Sequence, residues 1–325
     1  MNRSRRILFT AVAISALGVA FSFSSRLMGT ARAAVGPIPP DALALPGDSA
    51  FVMGFDVRAL TASQFYARFG GEGQPARVEA LAEIERRTGL NPARDIDSIV
   101  IAVRPDALGT TPRVEGKGRS QNALIFVKGR FDGARLEAAI PGAAKVSKED
   151  RDGVTVYSHA EGKSKGVVAF LDDGILVAGG SAAVDTFLGN RSSGRGVRDN
   201  PELVALLERI EPGSTFWAAG GPSVLSRLSA VGGPAANLPV VTQVLAYGHF
   251  DPEVGLTATA EAQDAASATK IADVLRGFSA MLSLQSGQRA ELAQIADSIS
   301  VATEGNKVYA KATITYELID SLTRA

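Results

Sequence analysis

The chain has 325 residues, and only 6% of them are aromatic while 46% are hydrophobic, so a core of Val, Leu, Ile and Ala with Phe as the large filler is expected. No cysteine occurs anywhere, which excludes disulfide staples, cysteine-ligated metals and a lipid-modified cysteine. Without its first 33 residues, which hold five arginines and no acid, the chain carries 29 basic and 34 acidic residues, a net of −5 with no electrostatic footprint for nucleic acid.

Residues 1–33 read as an export signal. Arg3, Arg5 and Arg6 precede a largely apolar run at 7–23, and Ala31-Arg32-Ala33 supplies the small-residue pattern for cleavage after Ala33. The paired arginines of "SRRILFT" resemble a twin-arginine signal, although Leu8 and Phe9 stand in swapped order and Thr10 replaces the usual Lys. The general secretory route is the other option. Cleavage would deliver a periplasmic or secreted protein; an uncleaved segment 7–23 is just long enough to anchor the chain in the inner membrane.

The body opens on "LPGDSAFVMGFDVRAL" (Leu45 to Leu60), a strand over Ser49 to Asp56 followed by two helical stretches. The second of these, about 76–88, puts Val78, Leu81 and Ile84 on one face and stops at Gly89. "DIDSIVIAV" and "NALIFVKGRF" are strands either side of a polar Gly-rich loop, and Asp132 starts a helix that Pro141-Gly142 ends. "KEDRDG" (Lys148 to Gly153) reads as a solvated turn before the strand "VTVYSH". "VVAFLDDGILVAGG" is a hairpin with Asp173-Gly174 at its tight turn, and a helix carrying Val184, Phe187 and Leu188 closes the first part. A Gly/Ser/Arg linker follows at 191–199. Asn200-Pro201-Glu202 then caps a helix whose stripe is Leu203, Leu206, Leu207 and Ile210.

At Glu211 the chain repeats its opening phrase as "EPGSTFWAAGGPSVL", about 165 residues on. A strand, a helix over "PSVLSRLSAV", the strands "QVLAYGHF" and "GLTATAEAQ", and a long helix from Asp264 follow in the earlier order. That helix sets Ile271, Val274, Leu275, Phe278, Met281 and Leu282 on one side. In the closing hairpin "SISVATEGNKVYAKATIT", Val308, Ala310, Ala312 and Ile314 alternate with polar neighbours, so one sheet face is dry and the other wet. The expectation is an α+β internal duplication: repeats at 40–190 and 200–325, with two mainly antiparallel sheets, separate or continuous, and helices on one face.

No catalytic set converges. "VAGGSAAV" imitates a nucleophile elbow at Ser181, but its strand belongs to a hairpin, so Ser181 is expected to be a helix N-cap. The only histidines are His159, at the end of a strand, and His249, inside one; a triad or metal site would need them beside other ligands. "EGKS" (Glu161 to Ser164) has Tyr157 where a phosphate loop needs glycine, and Glu149, Asp150 and Asp152 lack the spacing of a calcium loop. Asp95 and Asp97 are either a carboxylate pair or part of a capped loop after "GLNP". The basic loops 113–119 and 191–198 read as solvated. Trp217 is the only tryptophan; with Phe278 and Met281 it is a candidate ligand contact, and core filling is its simpler use.

Leu45-Pro46 before the first strand, "TGLNPARDID" (Thr88 to Asp97), "GRFD" (Gly129 to Asp132) and "FLDDGILVAGG" together resemble uncharacterised exported bacterial proteins with a duplicated α+β body. The resemblance implies that fold and brings no activity, cofactor or site residue. The sequence therefore points to a non-catalytic binding or structural protein of the envelope, with no cofactor and an unknown envelope protein as partner. A periplasmic carrier of an apolar ligand such as a lipid, built around the helix at 264–285, is the second reading, and an unassigned hydrolase the third.

Overall fold

A computed structural model describes residues 38–70, 79–104 except 80, 81, 84 and 87, 123–139, 146–221 except 152, 162, 163, 172 and 173, 239–284 and 290–324. The export segment with Ala31 and Ala33, the loop 113–119 and the expected helix "PSVLSRLSAV" beyond Pro222 lie outside those residues.

The strands are β1 Phe51–Asp56, β2 Ile96–Val103, β3 Ala123–Gly129, β4 Val146–Arg151, β5 Val154–Glu161, β6 Ser164–Leu171 and β7 Ile175–Gly180. They continue with β8 Phe216–Gly220, β9 Val241–His249, β10 Val254–Ala262, β11 Ile299–Glu304 and β12 Lys307–Ile314. The helices are α1 Val57–Ala62, α2 Gln64–Phe69, α3 Pro92–Asp95, α4 Gly133–Ala139, α5 Ser181–Ser192, α6 Pro201–Leu207, α7 Ala265–Leu284, α8 Ala290–Ser298 and α9 Tyr316–Arg324.

All twelve strands belong to one antiparallel sheet in the order β11-β12-β10-β9-β8-β1-β2-β3-β7-β6-β5-β4. Of the two arrangements left open, separate or continuous, the structure has one continuous sheet. Its centre is the pairing of β1 with β8, which sets Phe55 opposite Phe216 and Gly54 opposite Trp217. These are the strands of the two repeated phrases. Each is preceded by a four-residue turn that a serine closes: Ser49 donates through N–H and hydroxyl to the Pro46 carbonyl, and Ser214 does so to the Glu211 carbonyl, with the Pro-Gly pair one place later in the second turn. Apolar edges left unpaired would expose a row of N–H and C=O groups, and joining them removes both edges at once. Outward from this centre the order is β1-β2-β3-β7-β6 on one side and β8-β9-β10-β12-β11 on the other. The first side is extended by β5 and β4. Residues 148–151, expected within a turn, belong to that last strand, and exposed Lys148, Glu149 and Asp150 give it the charged character that blunts a sheet edge.

Helices cover both faces, which corrects the one-face expectation. The reason lies in β3, which buries Leu124 and Phe126 on one side and Val127 on the other. On the first face α5 and α6 pack Val184, Phe187, Leu203 and Leu207 against Val52, Val100, Phe126 and Trp217. Val197, inside the expected linker, is fully buried there. The Asn200 side chain accepts from the Leu203 N–H at 3.1 Å and donates to the Gly47 carbonyl at 2.8 Å, tying the start of α6 to the first Pro-Gly turn.

The opposite face has three clusters, under α4, under α7, and beneath α1, α2 and α9. In the last, the Phe250 ring lies 5.9, 4.8 and 5.3 Å from those of Phe55, Phe65 and Phe216. The Tyr316 hydroxyl sits between the Phe250 carbonyl and the Asp251 carboxylate, which also accepts the Gln64 N–H that opens α2. Burial, with the Asp251 carboxylate beside it, pushes this phenol up to about 12. An unfolded tyrosine ionises near 10, so the contribution is complete below about pH 10 and is lost as pH climbs towards about 12. Urea unfolding across that window is expected to show a steeper alkaline loss of stability for the natural chain than for Tyr316→Phe; equal slopes refute the assignment.

Candidate functional site

The segments "TGLNPARDID" and "GRFD", which carry the sequence resemblance, line one cleft of about 250 Å³. Helical residues ending at Thr88 give way to Gly89, whose φ of 72° is the left-handed conformation that glycine tolerates. Asn91 then caps α3 by accepting from the N–H groups of Ala93 and Arg94, with Pro92 at the first helical position. Of the two readings of Asp95 and Asp97, the capped loop is the one formed. Asp95 turns back to accept the Asn91 N–H at 2.8 Å and grips the Arg94 guanidinium through both its oxygens, at 2.8 and 2.9 Å. The Arg94 guanidinium, more than the Asn91 N–H, holds the Asp95 carboxyl below the usual carboxylate range.

Register brings the second segment alongside, because β2 pairs with β3 so that Ile96 faces Gly129. The Arg130 N–H donates to the Asp95 carbonyl at 2.7 Å and its Nη2 to the Arg94 carbonyl at 3.0 Å. Asp132 accepts the Arg135 N–H at 3.1 Å as α4 begins. The cleft's floor is apolar, made of Leu90, Phe131 and Leu136. Its rim is cationic, made of Arg94, Arg130 and Arg135. Asp97 stands outside, paired with Arg58 and 4.0 Å from Arg130 Nε.

A second feature is apolar. Among the described residues the exposed large hydrophobic side chains are Val240, Val274, Phe278, Met281 and Leu284, four of them on α7. The helix buries Ala268, Ile271 and Ala272 against Val241, Ala262 and Val308. One flank is tied down by Ser279 Oγ donating to the Ala296 carbonyl of α8 (3.0 Å) and Arg276 Nη2 to the Val301 carbonyl of β11 (3.3 Å). A turn of 100° per residue puts Val274, Phe278 and Met281 on the other flank, so the single apolar face expected for 264–285 divides into a buried stripe and an exposed one. The helix α8 was not foreseen.

Of the candidate ligand contacts, then, Phe278 and Met281 stand together, 37% and 44% exposed, while Trp217 is buried on the opposite sheet face. Ser181 is not the cap of α5 but its first residue: its hydroxyl donates to Asp185 at 3.2 Å and accepts from Arg151 at 3.1 Å, and β7 is antiparallel to both neighbours. The histidines lie opposite to expectation, His159 inside β5 and His249 as the last residue of β9. Seven strand spacings separate β5 from β9, roughly 34 Å, so they share no site. Among the described residues, no three of His, Asp and Glu stand close enough to hold a metal ion, and no helix is long and apolar enough to cross a membrane.

No family model matches the chain, and no curated protein matches it. Among solved structures it is similar to TP0453 in its crystal form I, at 13% identity and a TM-score of 0.47, over 88% of this chain and 97% of that one. A likeness at that level carries no argument about fold or function.

Proposed function

We propose that the protein is a non-catalytic binding or structural module of the cell envelope that docks a protein partner through the exposed flank of α7. The observation that carries this reading is the placement of the exposed large apolar side chains on one helix and at Val240 beside the strand it covers. Contiguous apolar surface rimmed by polar groups marks interaction sites on soluble proteins. The basic, apolar and small-residue order of residues 1–33 supports the envelope address. The matching strand orders on either side of the β1–β8 joint, with a serine-closed turn before each of the two strands, support an origin by internal duplication.

A carrier of an apolar ligand is the second reading, and its candidate site is an open cleft of about 470 Å³ lined by Phe131, Phe170, Leu171, Thr155 and Arg191. The two readings separate in one experiment. A photo-reactive amino acid at Met281, in the chain exported by a bacterial host, is expected to give one reproducible protein adduct that fades when Val274 and Phe278 are changed to Ser. Absence of an adduct, or one indifferent to those changes, overturns the docking surface. A lipid adduct from a photo-reactive residue placed instead at Phe170, on that cleft, moves the assignment to the carrier.

A further inference from the structure

The cleft between α3 and α4 holds chemistry that docking through α7 leaves unused. Of the two carboxylates on its lining, Asp95 is consumed by Arg94 and the Asn91 N–H, and Asp132 accepts the Arg135 N–H through one oxygen. Among the cations, Arg94 is held by Asp95 and stands 3.5 Å from Glu85, and Arg130 is braced on the Arg94 carbonyl. Arg135 differs: its guanidinium has no carboxylate partner among the described residues. It is positioned by packing instead, so close over Gly89 that a Cβ at residue 89 would lie 2.3 Å from its Cζ. Glycine is favoured there by the backbone angle, and the exposed Arg135 side chain lies over the space that its missing Cβ leaves. The result is a fork of N–H donors on an exposed arginine at the mouth of a small cleft, and planar guanidinium forks match the geometry of oxyanions in two-point contact.

We propose that this cleft is an anion-binding site for a phosphate or carboxylate group, with Arg135 and Arg130 as its direct ligands. The two capped turns and the backbone staple between Asp95 and Arg130 fix the backbone that carries these exposed arginines, and their side chains are ordered as an anion enters. The site lies in the half of the sheet away from α7, and failure of either proposal leaves the other standing. The group's source is either a small anion in solution or an anionic lipid headgroup.

The test follows the amide resonances of Gly89 and Leu90 while inorganic phosphate is added to residues 34–325, with sodium chloride of equal ionic strength as reference. Vesicles of phosphatidylglycerol or of phosphatidylcholine form the second arm, read by co-sedimentation. Saturable shifts with phosphate, weakened at least about tenfold by Arg135→Gln and unchanged by Lys311→Gln on distant β12, establish a site for small anions. Retention on phosphatidylglycerol alone, lost with Arg135→Gln, establishes a headgroup site. Shifts equal to those of chloride, or binding indifferent to Arg135→Gln, overturn the proposal.

Discussion

Replacing Trp217 with alanine is expected to cost about 3–5 kcal/mol, measured as the fall in unfolding free energy in urea. Trp217 is the largest side chain of the central strand pair, buried in the cluster that α5 and α6 form with this face of the sheet, and its indole fills the space above Gly54 that a side chain would otherwise take. An added Cβ at Gly54 would meet Cε2, Cζ2 and Nε1 of the indole at 2.2 to 2.5 Å. Gly54→Ala is accordingly expected to cost about 1–3 kcal/mol through overpacking. The two changes are coupled: in a Trp217→Phe background, with a smaller ring over the glycine, the Gly54→Ala cost should fall by at least about 0.5 kcal/mol. Simple additivity would mean that the pair does not set the packing at the joint, and that the seam between β1 and β8 is held by its backbone bonds alone.

The second large effect is expected at Phe250. Its ring meets Phe55, Phe65 and Phe216, which come from β1, α2 and β8, and its carbonyl receives the Tyr316 hydroxyl of α9. Phe250→Ala leaves a cavity where these elements converge and should cost about 3–5 kcal/mol. Phe278→Ala, on the open flank of α7, is expected to cost only about 1–2 kcal/mol, because its ring stays 37% exposed in the folded chain. Calorimetric unfolding of both variants makes the comparison. Comparable losses would mean that Phe278 is covered in the folded chain, and the docking surface on α7 would then be withdrawn.

The two features differ in how they appear in sequence. Phe278 and Met281 could be singled out because a helix repeats every 3.6 residues and their spacing keeps them on one side; that this side divides into a buried and an open stripe depends on how α8 and β11 flank the helix. Arg94, Arg130 and Arg135 were not singled out, although they sit within or next to the two segments that carried the resemblance. Their signal is weak because arginine beside a capping residue is ordinary on a surface. Only the β2–β3 register, with Ile96 opposite Gly129, makes neighbours of groups some 35–40 residues apart.

By itself the sequence determined what depends on near neighbours along the chain. This covers the strands with their alternation, the capped start of α6, the Gly174 turn, and the repeated phrase that announced β1 and β8. Local hydrogen bonds and side-chain periodicity act over a few residues, so they leave a mark in a few residues. Tertiary structure alone decided that the two apolar edges join into one sheet, that Trp217 is spent on Gly54, and that helices are needed on both faces. Those outcomes follow from satisfying backbone groups and removing apolar area across the whole molecule, and such global demands have no short pattern by which to be read.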